Sequence, residues 1–96
     1  MGAASQADRS LGVGQSLQDV TSSRALATVY YNTTGRSIVM LASLNGSSAS
    51  VSVNGVIVAS ISLASAMTIP FSVVIPAGAS YSASATSSIS RWFELR

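Results

Sequence analysis

Apolar residues in this chain recur at every second position, most clearly in Ala49-Ser50-Val51-Ser52-Val53, then Asn54-Gly55, then Val56-Ile57-Val58-Ala59-Ser60. Side chains alternate across a strand with period two, whereas a helix repeats near 3.6, so both flanks predict strands. The Asn-Gly pair between them predicts a type I′ hairpin turn, whose two central residues need positive φ. With a two-residue loop, Val53 pairs with Val56 and Val51 with Val58, which sets four valines on one face.

The same pattern predicts strands on either side. Ala25 to Tyr31 ends in the turn cluster Asn32-Thr33-Thr34-Gly35, Ser37 to Leu44 is apolar on both faces, and Asn45-Gly46-Ser47-Ser48 is a second turn. After Ser62 to Ala66, the run Met67 to Ile75 alternates, with Met67, Ile69, Phe71, Val73 and Ile75 on one side. Pro70 points the other way and cannot donate to a ladder, so this strand is expected at an edge or bulged. Pro76-Ala77-Gly78 leads into Ser80 to Thr86, and a last strand, Ile89 to Leu95, sets Ile89, Arg91, Phe93 and Leu95 against Ser90, Trp92 and Glu94. About seven short strands without a competing helical period predict an all-β, antiparallel β-sandwich or jelly-roll-like domain over residues 11–96. Residues 1–10 lack periodicity and are expected to be a flexible arm or linker.

Strands that are apolar on both faces need cover on both. Ile38, Met40 and Leu44 cannot share one thin core with Val39 and Leu41, so the second face is expected to meet another subunit or the N-terminal segment. Size points to the subunit, because a single small core without disulfides or metals is marginal alone.

Charge sharpens this picture. Five arginines and three carboxylates make up 8% of the 96 residues, against roughly 25% in an ordinary domain. From Ser37 to Ser90 no residue carries a formal charge, and much of the polarity comes from the chain's 21 serines. The stretch is broken too often by Ser, Asn, Gly and Pro to form a membrane-spanning helix, which needs about 20 apolar residues. Six aromatics are few for the girdles of a transmembrane barrel, and MGAASQADRS lacks the apolar core of a signal peptide. Membrane insertion is therefore not expected. Nor is nucleic-acid binding, since Arg9, Arg24, Arg36, Arg91 and Arg96 are scattered rather than clustered.

Absent residue types exclude much chemistry. Without Cys, His or Lys there is no thiolate or imidazole metal site, no Ser–His–Asp triad and no lysine Schiff base. Asp8, Asp19 and Glu94 are the only carboxylates for acid–base work. The expectation is a protein that is not an enzyme, with neither cofactor nor metal. Asn32-Thr33-Thr34 and Asn45-Gly46-Ser47 fit the glycosylation pattern, but both coincide with turns that need Asn for backbone reasons. Binding is a better use of what remains: Tyr31 and Trp92 as aromatic platforms, with Asn32, Arg36, Asn45 and Ser47 in the flanking loops.

The stretch from Gly12-Val13-Gly14-Gln15 through Asp19-Val20-Thr21-Ser22-Ser23-Arg24-Ala25-Leu26, then Tyr31-Asn32-Thr33-Thr34-Gly35-Arg36, resembles a small β-domain of tailed-bacteriophage and prophage proteins, often found at the C-terminal end of tail fibres. Val53-Asn54-Gly55-Val56, Ile75-Pro76-Ala77-Gly78 and Arg91-Trp92-Phe93-Glu94-Leu95-Arg96 fit the same pattern, so the resemblance covers nearly all of residues 11–96. Leu17 departs from it, standing where that family often has Trp. The resemblance implies a virion component, a homotrimer acting in attachment to a host-surface glycan or protein alongside other virion proteins. As the chain opens on Met1, a separate small subunit is also expected: a fibre tip or, alternatively, a capsid decoration protein. An excised domain is the remaining reading.

Overall fold

Alternation makes the strands here, and a few glycine and asparagine positions decide where they bend. The computed structural model describes residues 12–96, so the expected N-terminal arm lies outside the described residues. The described residues form an all-β antiparallel sheet of six strands: β1 (Leu17–Asp19), β2 (Tyr30–Tyr31), β3 (Ile38–Val53), β4 (Val56–Ile75), β5 (Ser80–Ala85) and β6 (Ser88–Leu95). A single 3₁₀ turn, Thr21–Ser23, follows β1.

The Asn-Gly hairpin forms as expected, with Asn54 at φ 53° and Gly55 at φ 78° and Val53 paired with Val56. The next pairs correct the four-valine face. Ser52 pairs with Ile57 and Val51 with Ala59, which leaves Val58 as an extra residue in a bulge. A one-residue slip next to the turn sends a side chain to the other side, so Val51 is buried while Val58 is exposed.

One expected turn lies within a strand, and segments expected to be separate join into another. β3 runs through Asn45-Gly46-Ser47-Ser48, and β4 joins three separately expected segments into twenty residues. On the far side of β3, β6 pairs with Val39–Asn45 and β5 with Ala49–Val53, end to end. All three layers of this ribbon break at one level. Gly46 pairs with Met67 and Ser48 with Ser62, so Ser47 opposes four residues of β4, while Thr86 and Ser87 separate β5 from β6.

That break is a fold-over. Tyr81 pairs with Val53 and Glu94 with Met40, positions that a straight strand would hold ~43 Å apart at ~3.3 Å per residue. The Tyr81 hydroxyl nevertheless donates to Glu94 Oε2 at 2.9 Å. The ribbon therefore bends at Gly46–Ser48, and its two halves face each other as the layers of a sandwich whose corner is made by strands passing between them. The inward set changes parity at the bend: Ile38, Met40, Ala42 and Leu44 before it, Ala49 and Val51 after it. Ile69, Ile75, Tyr81, Ala83 and Trp92 complete the core.

Two further expectations change. Only Tyr30–Tyr31 of the segment from Ala25 forms strand, because Ala27 turns at φ 56° with its N–H on the Ala83 carbonyl. In β6, Arg91 pairs with Ser43 and Ile89 with Leu44, so Ser90 bulges and Ile89 packs on the core side with Trp92. Pro70 meets its expectation: it lies on β4, which pairs with β3 alone and forms an edge of the sheet.

Candidate functional site

The fold brings its charged chemistry together inside. Glu94 is fully buried, and its oxygens are saturated: Oε1 accepts from Arg24 Nη2 at 3.1 Å and Arg96 Nη1 at 2.9 Å, and Oε2 from Arg24 Nε at 3.1 Å, the Tyr81 hydroxyl at 2.9 Å and Trp92 Nε1 at 3.1 Å. The Arg24 guanidinium also lies 4.6 Å from the Tyr30 ring centroid, and Tyr30 meets the Trp92 ring edge-on at 6.1 Å. Burial alone would raise the Glu94 carboxyl, but the Arg24 hydrogen bonds, with those of Tyr81 and Trp92, outweigh it and hold the group below the usual carboxylate value. Burial raises the Tyr81 phenol, and the neighbouring Glu94 charge adds to the shift. A carboxylate held by five donors has no lone pair left for a substrate. The cluster is a clasp between the two layers.

This placement corrects Trp92. Expected as a contact platform, it is fully buried, with its indole N–H committed to Glu94 and its ring against Tyr30. Asn32 is corrected likewise. Its amide nitrogen donates to the carbonyls of Arg36 at 2.7 Å, Ile75 at 3.0 Å and Pro76 at 3.1 Å, while its oxygen accepts from the Thr34 N–H and hydroxyl. A side chain used this way builds the loop instead of touching a ligand.

The remaining expected site residues divide between the two ends of the sheet. Tyr31, 64% exposed, flanks the loop that Asn32 organises, and Arg36 closes that loop. The Asn54-Gly55 turn reaches the same end, since Asn54 exchanges hydrogen bonds with Ser80, the residue paired with Tyr31. Asn45 and Ser47 lie at the corner, ~23 Å further along β3 by its rise. There Asn45 bridges the Ser88 and Thr68 hydroxyls, and the Ser47 N–H donates to the Thr86 hydroxyl. A shallow groove of about 440 Å³ at the corner is lined mostly by Ser48, Ser50, Ser60, Ser62, Ser84 and Thr86.

The second apolar face expected from Val39 and Leu41 lies on the outer side of the β1-β6-β3-β4 layer, where residues not singled out from the sequence join it. Pairing sets Leu17, Leu95, Val39 and Val74 in one row and Asp19, Phe93, Leu41 and Ser72 in the next. Beside them a groove of about 500 Å³ runs between Phe93, Arg91, Ser43 and Pro70. Thr21 hydrogen bonds, with some help from Arg91, hold Asp19 below its usual value. Period-two alternation in Arg91-Trp92-Phe93-Glu94 separates these faces, but does not say which one points outward.

Among the described residues no three Asp or Glu side chains come together in a way that could hold a metal ion, and no helix is long and apolar enough to cross a membrane. No family model, curated protein or solved structure matches the chain. What the arrangement presents is a set of shallow surfaces of tyrosine, arginine, threonine and serine on the sheet.

Proposed function

We propose that this chain is a non-enzymatic bacteriophage virion structural protein, a tail-fibre or fibre-tip component that attaches to the host surface as a homotrimer. The observation that carries the reading is the Tyr31–Arg36 loop. Asn32 holds it with five hydrogen bonds, leaving the exposed Tyr31 ring beside it. A loop ordered before binding loses little freedom on contact, and tyrosine supplies large contact area with few rotatable bonds. One such surface is weak. Three carried by a trimer gain avidity on a repetitive glycan or protein layer. The sequence resemblance to fibre domains and the uncharged middle of the chain support the same reading.

Whole-cell binding tests it. Tyr31→Ala combined with Arg36→Ala is expected to reduce binding to susceptible cells by about tenfold or more, because avidity multiplies a modest loss per site. Unchanged binding would remove the loop from the site. Immunolabelling of particles is expected on tails, whereas label on heads would replace this reading with capsid decoration.

A further inference from the structure

β4 is long, uncharged and paired on one side only. Its first half follows the alternation that should bury every second residue, yet only Ala59 and Leu63 are partly covered. Ile69, Phe71, Val73 and Ile75 face the core and are covered. Met67, which shares their side, is 59% exposed, and Ile61, paired with the buried Ala49, is 39% exposed. Val56, Ile57 and Val58 follow one another at 62%, 62% and 52% exposure. Three consecutive exposed aliphatic residues on an edge strand, beside unpaired backbone donors and acceptors, are what soluble monomers avoid.

We infer that the Val56–Met67 stretch of β4 is an interface, and that its occupant is the same stretch of another copy of this chain. Charge complementarity selects that occupant. Close to a symmetry axis a residue lies near its own equivalents, so a charged residue there would meet its like. No residue from Ser37 to Ser90 is charged, and a surface of Val, Ile, Ala, Ser and Met can therefore face itself without penalty. Of the two apolar surfaces, the outer face is flanked by Asp19 and Arg91, and although its Leu17 and Val74 are exposed its centre at Leu41 and Phe93 is partly covered. Along the edge only Ala59 and Leu63 are partly covered, and the other residues from Val56 to Met67 are exposed. This inference rests on the homotrimer reading and supplies its contact surface.

The experiment measures molar mass by light scattering for the full chain and for Ile57→Lys, Ile61→Lys and, on the outer face, Val74→Lys. The expected result is three times the 9.7 kDa monomer mass for the wild type and for Val74→Lys, and a folded monomer for both β4 variants. Circular dichroism checks folding. Because a lysine variant can fail to fold, hydrogen exchange of the wild type is measured alongside it. Amides of Val56–Met67 are expected to exchange more slowly in the assembled protein than after dilution to monomer. A trimer that survives both β4 lysines but is dissociated by Val74→Lys would overturn the edge and keep the trimer. A wild type that is monomeric at high micromolar concentration would overturn both.

Discussion

At Asn32 a single side chain does the work of a turn. Its amide nitrogen shares two hydrogens among three carbonyls from two separate segments, and no smaller side chain can do so. Asn32→Ala leaves those carbonyls without their donor and is expected to cost about 2–3 kcal/mol, read as a lowered midpoint in urea unfolding. Tyr31→Ala, one position away on the exposed side, is expected to stay within about 0.5 kcal/mol of wild type. The contrast separates loop building from loop recognition, because both substitutions are expected to reduce cell binding but only one to reduce stability. Reading Asn32 from the sequence placed it correctly in a turn. Its burial was not legible, since the carbonyls it satisfies at Ile75 and Pro76 come from more than forty residues away.

At the scale of elements, the corner depends on Gly46. It sits at φ 148° against β5, and a Cβ there would collide with the Thr86 hydroxyl and come within 3.0 Å of the Thr86 backbone nitrogen. Gly46→Ala is expected to cost about 3 kcal/mol, since the neighbour that must yield is partly backbone. Gly55, at φ 78° with nothing near its missing side chain, makes the control: Gly55→Ala should cost only about 1–2 kcal/mol for the left-handed backbone. Equal losses in chemical denaturation would mean that the corner is not closely packed. The same residues show where the pattern was legible and where it was not. Asn54-Gly55 was read correctly because a hairpin turn is local chemistry. Asn45-Gly46-Ser47-Ser48 carries the same residue types, yet it bends a continuous strand, because β5 and β6 span the break on one side and four residues of β4 on the other. Alternation also paired Phe93 and Trp92 on opposite faces correctly. Which of the two is core depends on Tyr30 and Glu94 meeting beside Trp92, a long-range fact.

For the whole molecule, the consequence of the Glu94 clasp is a stability that depends on pH at both ends of the range. Glu94 and Asp19 both lie below their ordinary values in the folded state. In the acid window the unfolded chain therefore binds more protons than the folded one, and stability rises with pH. Their contribution is complete above the unfolded carboxylate value near 4.5 and is lost as pH falls through the lower folded value. Tyr81 works from the other side. Its folded value is raised above the ordinary 10.0, so its contribution is present below pH 10 and is lost as pH climbs through the folded value. Thermal melting from pH 2 to 11 is expected to give a plateau from about pH 5 to 9 with a fall on each side. Glu94→Gln tests the origin of the acid limb. It removes the charge that two arginines share, lowers the plateau by about 3 kcal/mol and flattens the fall below pH 5, because the group that titrated is gone. An acid limb that keeps its full height in Glu94→Gln would assign the titration to Asp19, whose shift comes first from Thr21, and Thr21→Val would then be expected to reduce it. The layers stay joined through this cluster because Arg24, Tyr81 and Glu94 come from three separate segments of the chain.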